Sequence, residues 1–475
     1  MAAFLHEDFL LDTELARRLY HGCAERLPII DYHTHLAARD IAENRRYHNP
    51  AAVFVDTPFA RRAMRAAGIS EEILSGRMGT PRERFASFAA ALPRAAGSPL
   101  YLWVHLALRR CFGCDLVLSP TTADAVWAHC EEQLARPDFT MEGVLQQGKV
   151  ELLCTNDDVA DDLKYHRMIR ERHEMDPGVA AMEVLPTLHL GATLAAAHPD
   201  WGNYMRYQLG QAADVDITTM RDVREALQKR FDAFAELGCR TVDLPLPTIL
   251  WCEAAEYELD DIVGHLVHGR GLPDRTELAK YQTAILQFAG RACAARGWVM
   301  QVHTGILRGQ NRKMEGRLGH DAGFDSITSE TEGAGLASLL DFLTRAEALP
   351  RTIVSSMNPA AQTIVDAVLG AFQTGGAGHL QQGLSWVASQ TRTGLWAQLA
   401  GLSSLGVLGE TIAPASEGRS AFSWTRHEHY RRVLCSFLAR LVAEGVYPED
   451  EAALGQIVQD VCYQNVQRYF FTQKE

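Results

Sequence analysis

Nowhere in this 475-residue chain do 18 apolar residues run without interruption, which excludes an ordinary membrane-spanning helix. Runs of five or more basic residues are missing too, and the net charge is −13 with a pI near 5.8. A chain of that sign repels polyanions, so neither nucleic acid nor an anionic membrane is expected as a partner. The segment Met1–Asp8 lacks the cationic stretch and apolar core of an export signal, which points to a cytoplasmic protein. Paired CxxC motifs are absent. The ten cysteines are scattered through apolar contexts, as suits reduced thiols, and Cys111-Phe-Gly-Cys114 stands alone. Repeats, low-complexity tracts and Gly/Ser linkers that would divide the chain are also lacking, so residues 1–475 read as one domain.

What the chain does have is a large apolar fraction, 47%, and a conspicuous short strand, Ile29-Ile30-Asp31-Tyr32-His33-Thr34-His35-Leu36. Side chains on a strand alternate faces, so His33 and His35 project to the same side and aim two imidazoles at one point. Neutral imidazole is the commonest protein ligand of zinc and related ions, and this pair is the leading candidate for holding one divalent metal.

Seven further apolar runs follow, each trailed by a helical pattern: 150–155, 182–187, 239–244, 298–304, 352–357, 380–386 and 406–412. With 28–33 they number eight, the count that closes a parallel (β/α)₈ barrel of TIM type. Between about 40 and 145 only helical periodicity is found, which predicts a helical insertion after the first strand, overhanging the barrel mouth. Barrels place their chemistry at the C-terminal ends of strands. The polar residues expected there are Asn156, Asp157 and Asp158 after the second strand, Asp243 on the fourth, His303 on the fifth and Asn358 after the sixth. His303 reads as a third metal ligand or a hydrogen bond to substrate, or as a core histidine satisfied by a carbonyl. Gly375-Gly-Ala-Gly378 precedes a strand instead of opening a helix, so it is expected to be a loop and not a phosphate cradle. In the last long helix, His427 with Arg431 and Glu428 with Arg432 share faces, which reads as a solvated charge face or an anion site after the eighth strand.

With these residues assembled, the chain resembles the uronate isomerase (glucuronate isomerase) family, an outlying branch of the amidohydrolase superfamily. The likeness runs nearly end to end. It is carried by Glu7–Tyr20, by Asp31-Tyr-His-Thr-His-Leu36, by Pro99–Arg110, by Cys154-Thr-Asn-Asp-Asp158, by Gly323-Phe-Asp-Ser-Ile327 and by Thr425-Arg-His-Glu-His-Tyr-Arg-Arg432. The resemblance implies a distorted (β/α)₈ barrel, one divalent metal, zinc, on His33, His35 and an acid from the eighth strand, and aldose–ketose interconversion of a hexuronate such as glucuronate. It implies a small carboxylated, polyhydroxylated substrate, with Arg62, Arg65, Arg308, Arg419, Arg426 and Trp386 as candidate binding residues. His303, Asp243 and Tyr32 are the candidates for moving protons, and a homo-oligomer is compatible with all of this.

The departures from the family pattern are equally specific. A His-Tyr pair is replaced by Pro58-Phe59, a Trp-Arg-Pro by Leu188-His189-Leu190, an Asp-His by Asp243-Leu244, an Asn-Pro-Arg by Asn358-Pro-Ala360 and a Trp-Trp by Trp386-Val387. An ungapped reading of the eighth strand puts Ala413 where the metal-binding aspartate belongs. A shifted loop brings Glu417 to the metal instead, and Glu410 is the other acid on that strand. The alternative to an isomerase is therefore a repurposed metal-dependent lyase or hydrolase of the same fold on another polar substrate.

Overall fold

The computed structural model describes residues 4–175, 182–319, 321–330, 333–383 and 385–471. Of the expected elements, the 380–386 run includes Leu384, which lies outside the described residues. Seven parallel strands carry the framework: β1 (Ile29–Asp31), β2 (Val150–Cys154), β3 (Glu183–Leu185), β4 (Thr241–Pro245), β5 (Val299–Thr304), β6 (Thr352–Ser356) and β7 (Leu380–Gln382). β1 pairs with β2 and β2 with β3. The chain then steps outward through two-residue bridges, Asp157–Asp158 beside Leu188–His189, and the latter pairs with β4. From there β4, β5, β6 and β7 follow in order. The result is a distorted (β/α)₈ barrel with a helix returning the chain after each crossover.

The eighth position differs from expectation. Among the described residues no strand spans 406–412; Leu408–Glu410 forms a short 3₁₀ turn. The gap between β7 and β1 is filled by residues 412–418, linked by single hydrogen bonds. The Ile412 amide donates to Gln381 Oε1 (3.3 Å), the Ser416 amide to Asp31 Oδ1 (2.8 Å) and the Glu417 amide to the His33 carbonyl (3.3 Å). The His35 amide in turn donates to the Gly418 carbonyl (2.8 Å). Pro414 has no N–H to offer a ladder and Glu417 takes a left-handed conformation (φ 53°), so a regular strand cannot run through this segment.

Strand residues Ile30, Tyr32, Leu152, Val299 and Ile353 pack inside the barrel against Tyr469 and Phe470, which plug it from below. Between β1 and β2 the described chain is helical, from Ala38–Ala42 through Pro50–Phe54, Pro58–Ala66, Pro81–Ala91 and Pro99–Phe112 to Met141–Gln147. The Pro58–Ala66 helix shows why a proline is tolerated there. Thr57 caps it by accepting from the Ala60 amide, and Pro58 takes the first turn, where its missing N–H leaves no bond unmade.

The long Thr425–Ala443 helix is buried along most of its length, so its charges are not a solvated face. Glu428 accepts a two-pronged bond from Arg110 (2.8 and 2.7 Å) and another from Arg432 (3.0 Å), tying this helix to Pro99–Phe112. His427 does not pair with Arg431, which bonds the Leu27 and Pro28 carbonyls; it faces Asp31 at 3.6 Å. Because the Arg432 side chain is only 1% exposed, Glu428→Ala strands a buried cation. The expected loss is about 3–5 kcal/mol of stability, read by denaturant unfolding. A loss below about 1 kcal/mol would show that the Glu7 and Phe9 carbonyls, which also accept from Arg432, suffice to hold the cation.

All ten cysteines are free, eight of them buried, the CxxC pair included. Among the described residues no helix is long and apolar enough to cross a membrane.

Candidate active site

His33 and His35 leave β1 at the C-terminal mouth of the barrel and meet Glu417, which arrives from the closing segment. Glu417 Oε1 lies 3.6 Å from His33 Nε2, and Oε2 lies 3.1 Å from His35 Nε2. A third imidazole, His303 at the end of β5, sets its Nε2 3.4 Å from Oε1. A left-handed conformation at a residue bearing a side chain persists only where the surroundings impose it. Here Asp31, His33 and His35 fix the backbone around Glu417, and Arg426 Nη1 holds the Ser416 carbonyl (2.7 Å). The carboxylate is thereby aimed at the histidines.

One donor atom from each of His33, His303 and Glu417 lies within 4.8 Å of the others. Two imidazoles and a carboxylate are the donor set of a borderline divalent ion. His33 fits that role in one further way: burial pushes its pKa down to about 4, leaving the ring neutral. His35 stands at the edge, bonded to Glu417 but outside the tight three.

Behind the histidines lies a buried acid. Asp243, on β4, accepts from His303 Nδ1 (2.6 Å), His189 Nδ1 (2.8 Å) and Asn156 Nδ2 (3.1 Å). A carboxylate on Nδ1 fixes the ring's orientation and turns Nε2 toward the metal side. Burial alone would raise Asp243, yet His303 and His189 outweigh it and hold the carboxyl well below its ordinary range. Burial would likewise lower His303, but Asp243 and Glu417 together carry it up to about 10, so the ring is protonated on both nitrogens and must release its Nε2 proton to bind an ion. For Glu417, burial is outweighed by His33 and the other two imidazoles, so it too stays charged.

The remaining sequence candidates separate. Tyr32 is not at the site: its ring stacks on Phe470 inside the barrel (centroids 5.0 Å apart) and its hydroxyl meets the Ala415 backbone. Arg65 is bound by Glu71 and the Ala322 carbonyl (2.9 Å), away from the histidines. Asp157 closes a buried group with Thr155 and His166, and Asn358 caps the turn after β6. Glu410 lies below the barrel, near Arg468.

Arg62, Arg308, Arg419, Arg426 and Trp386 all line a cavity of about 220 Å³ that opens above His35 and Glu417. Arg308 is paired with Asp325 (2.7 Å), and Arg419 grips Asp321 with both prongs (3.0 and 3.2 Å). Among the described residues Arg62 bonds the Asp325 carbonyl (2.8 Å), and it lies 5.1 Å from the centre of the Trp386 ring. His189 and Asp321 are the members that sequence reasoning did not place at the site. His189 stood out only as a replaced arginine, and Asp321 carries no motif, although its positive φ (59°) marks a loop held to shape.

The chain as a whole is similar to known proteins. The glucuronate isomerase family model matches residues 1–470. A uronate isomerase from Salmonella typhimurium is 39% identical over 474 residues, 99% of each chain. Among solved structures, a uronate isomerase from Thermotoga maritima matches with a TM-score of 0.91 at 27% identity, covering 99% of this chain and 100% of that one. A glucuronate isomerase from Caulobacter crescentus shares the fold, with a TM-score of 0.90 at 22% identity, covering 100% of this chain and 98% of that one.

Proposed function

The chain belongs to the glucuronate isomerase family, and from that premise we propose that it interconverts the aldose and ketose forms of a hexuronate. The observation that carries the reading to this site is the meeting of Glu417 with His33, His35 and His303 beneath a cavity lined by arginines. We assign the metal to His33, His303 and Glu417, with His35 beside them, and the ion as zinc from this donor set. When bound, such an ion polarises the carbonyl oxygen and lowers the cost of charge on the neighbouring hydroxyl.

The chain's own groups divide the rest. Glu417 is charged and reaches the cavity, so it takes the proton from C2 and returns it to C1. His35 Nε2, against the same carboxylate, moves the hydroxyl proton between O2 and O1. Asp243 holds His303 in place and is a positioning residue. Arg308 and Arg419 already have carboxylate partners, whereas the hydrogen bonds of Arg62 and Arg426 go to backbone carbonyls. Neither Arg62 nor Arg426 is clamped by a carboxylate hydrogen bond, although Asp31 and Glu417 lie near enough to act on the Arg426 charge, and these two arginines hold the substrate carboxylate. The helices within 40–145 serve as an insertion over the mouth of one domain, supplying Arg62 and one wall of the cavity. Ten unpaired cysteines support a cytoplasmic location.

Metal analysis followed by NMR of uronates incubated in D₂O tests the reading. The expected result is one zinc ion per chain, together with isomerisation and loss of the C2 hydrogen. A chain that binds no divalent ion and exchanges no C2 hydrogen in any uronate would overturn it.

A further inference from the structure

On the side of the helical insertion the cavity above Glu417 is walled mostly by carbon, Thr57 and Arg62 being the polar side chains among that lining, an unusual surface for a sugar acid bearing a hydroxyl on each middle carbon. Val53, Phe54, Phe59, Trp103, Val104 and Ala107 form that wall, and all but Phe59 are buried. The Trp103 indole N–H is turned away to His429 Nδ1 (3.3 Å), and the Arg426 guanidinium lies over the Trp103 ring, 4.1 Å from its centre, marking where the carbon wall meets the charged end of the cavity. Phe59 and Trp103 stand 6.4 Å apart, ring centre to ring centre, and Pro58 beside them has no N–H. The backbone groups of this wall lie in the helices Pro50–Phe54, Pro58–Ala66 and Pro99–Phe112. A hydroxyl pressed against such a surface gives up its bonds to water and finds no replacement, whereas an alkyl group gains from the same contact.

Accepting the isomerase reading, we propose that the preferred substrate is a hexuronate whose middle hydroxyls are O-alkylated or absent. Its reacting C1–C2 end sits at Glu417 and His35, its carboxylate lies with Arg62 and Arg426, and the modified C3–C4 face packs on the Phe59–Val104 wall.

The test compares kcat/KM of the zinc-loaded full-length enzyme on glucuronate, its 3-O-methyl and 4-O-methyl ethers and 4-deoxyglucuronate. A hydrophobic site discriminates by about 10-fold or more for each carbon it accommodates, so at least one modified acid is expected to exceed glucuronate by that factor. Val104→Thr, nearly isosteric but carrying a hydroxyl, is expected to narrow the ratio, as is Phe59→Tyr. Glucuronate turned over as well as or better than every modified acid would overturn the proposal and leave the isomerase reading standing. C2 exchange in none of the four would overturn the isomerase reading itself, and this proposal with it.

Discussion

His33→Ala purifies without its divalent ion and loses at least about a thousandfold in turnover. That is the expected result of removing one of three donors, because two remaining protein ligands rarely retain zinc. His33 is buried, already neutral and within 3.6 Å of Glu417, so its ring is ready to bind without losing a proton. His35→Ala is expected to keep more metal, since that ring lies outside the tight cluster and is bonded to a carboxylate oxygen. Elemental analysis and initial rates on the same preparations check both. Full metal content in His33→Ala would refute the assignment of this residue, and equal losses in the two variants would return His35 to the inner set.

How far this site could be read from the sequence follows from how local its determinants are. Strand alternation put His33 and His35 on one face in the sequence, yet β1 ends at Asp31 and both histidines lie on the irregular stretch after it, where tertiary contact brings them to Glu417. Tyr32, also past the strand end, turns into the barrel with Ile30 against Phe470. Glu417 was reachable only by allowing the closing segment to shift. The apolar run 406–412 looks like a strand, yet Pro414 and the left-handed Glu417 keep the segment after it irregular, and it is held by side-chain and single backbone bonds that no periodicity announces. The seven observed strands lay close to the apolar runs because buried parallel strands are legible as such. His189 was invisible for a different reason: its meaning comes from Asp243, 54 residues away in sequence. Asp321 and Asp325, which tie down two of the arginines, are likewise fixed by tertiary contact.

The second large effect is expected from Asp243→Asn, a change of one atom that touches no substrate. Both His303 and His189 donate an Nδ1 proton to this carboxylate, and Asn156 donates to it as well. An amide has one accepting oxygen and one donating nitrogen, so it cannot receive all three. One imidazole then faces an N–H instead of an oxygen and must shift its proton to Nε2. If that ring is His303, the Nε2 that faces Glu417 at 3.4 Å becomes a donor and can no longer bind a metal. Outer partners of this kind are worth about 10- to 100-fold in metal affinity or activity, and the buried, triply hydrogen-bonded position of Asp243 places it at the upper end of that range. Rates measured at saturating zinc separate the two consequences. Recovery of activity with added metal assigns the loss to affinity, and a persistent fall in kcat assigns it to the orientation of His303. His189→Leu is expected to be milder, because it removes one donor and leaves the His303–Asp243 bond intact. Parent-like zinc binding and turnover in Asp243→Asn would show that His303 stands outside the chemistry and that the ion rests on His33, His35 and Glu417.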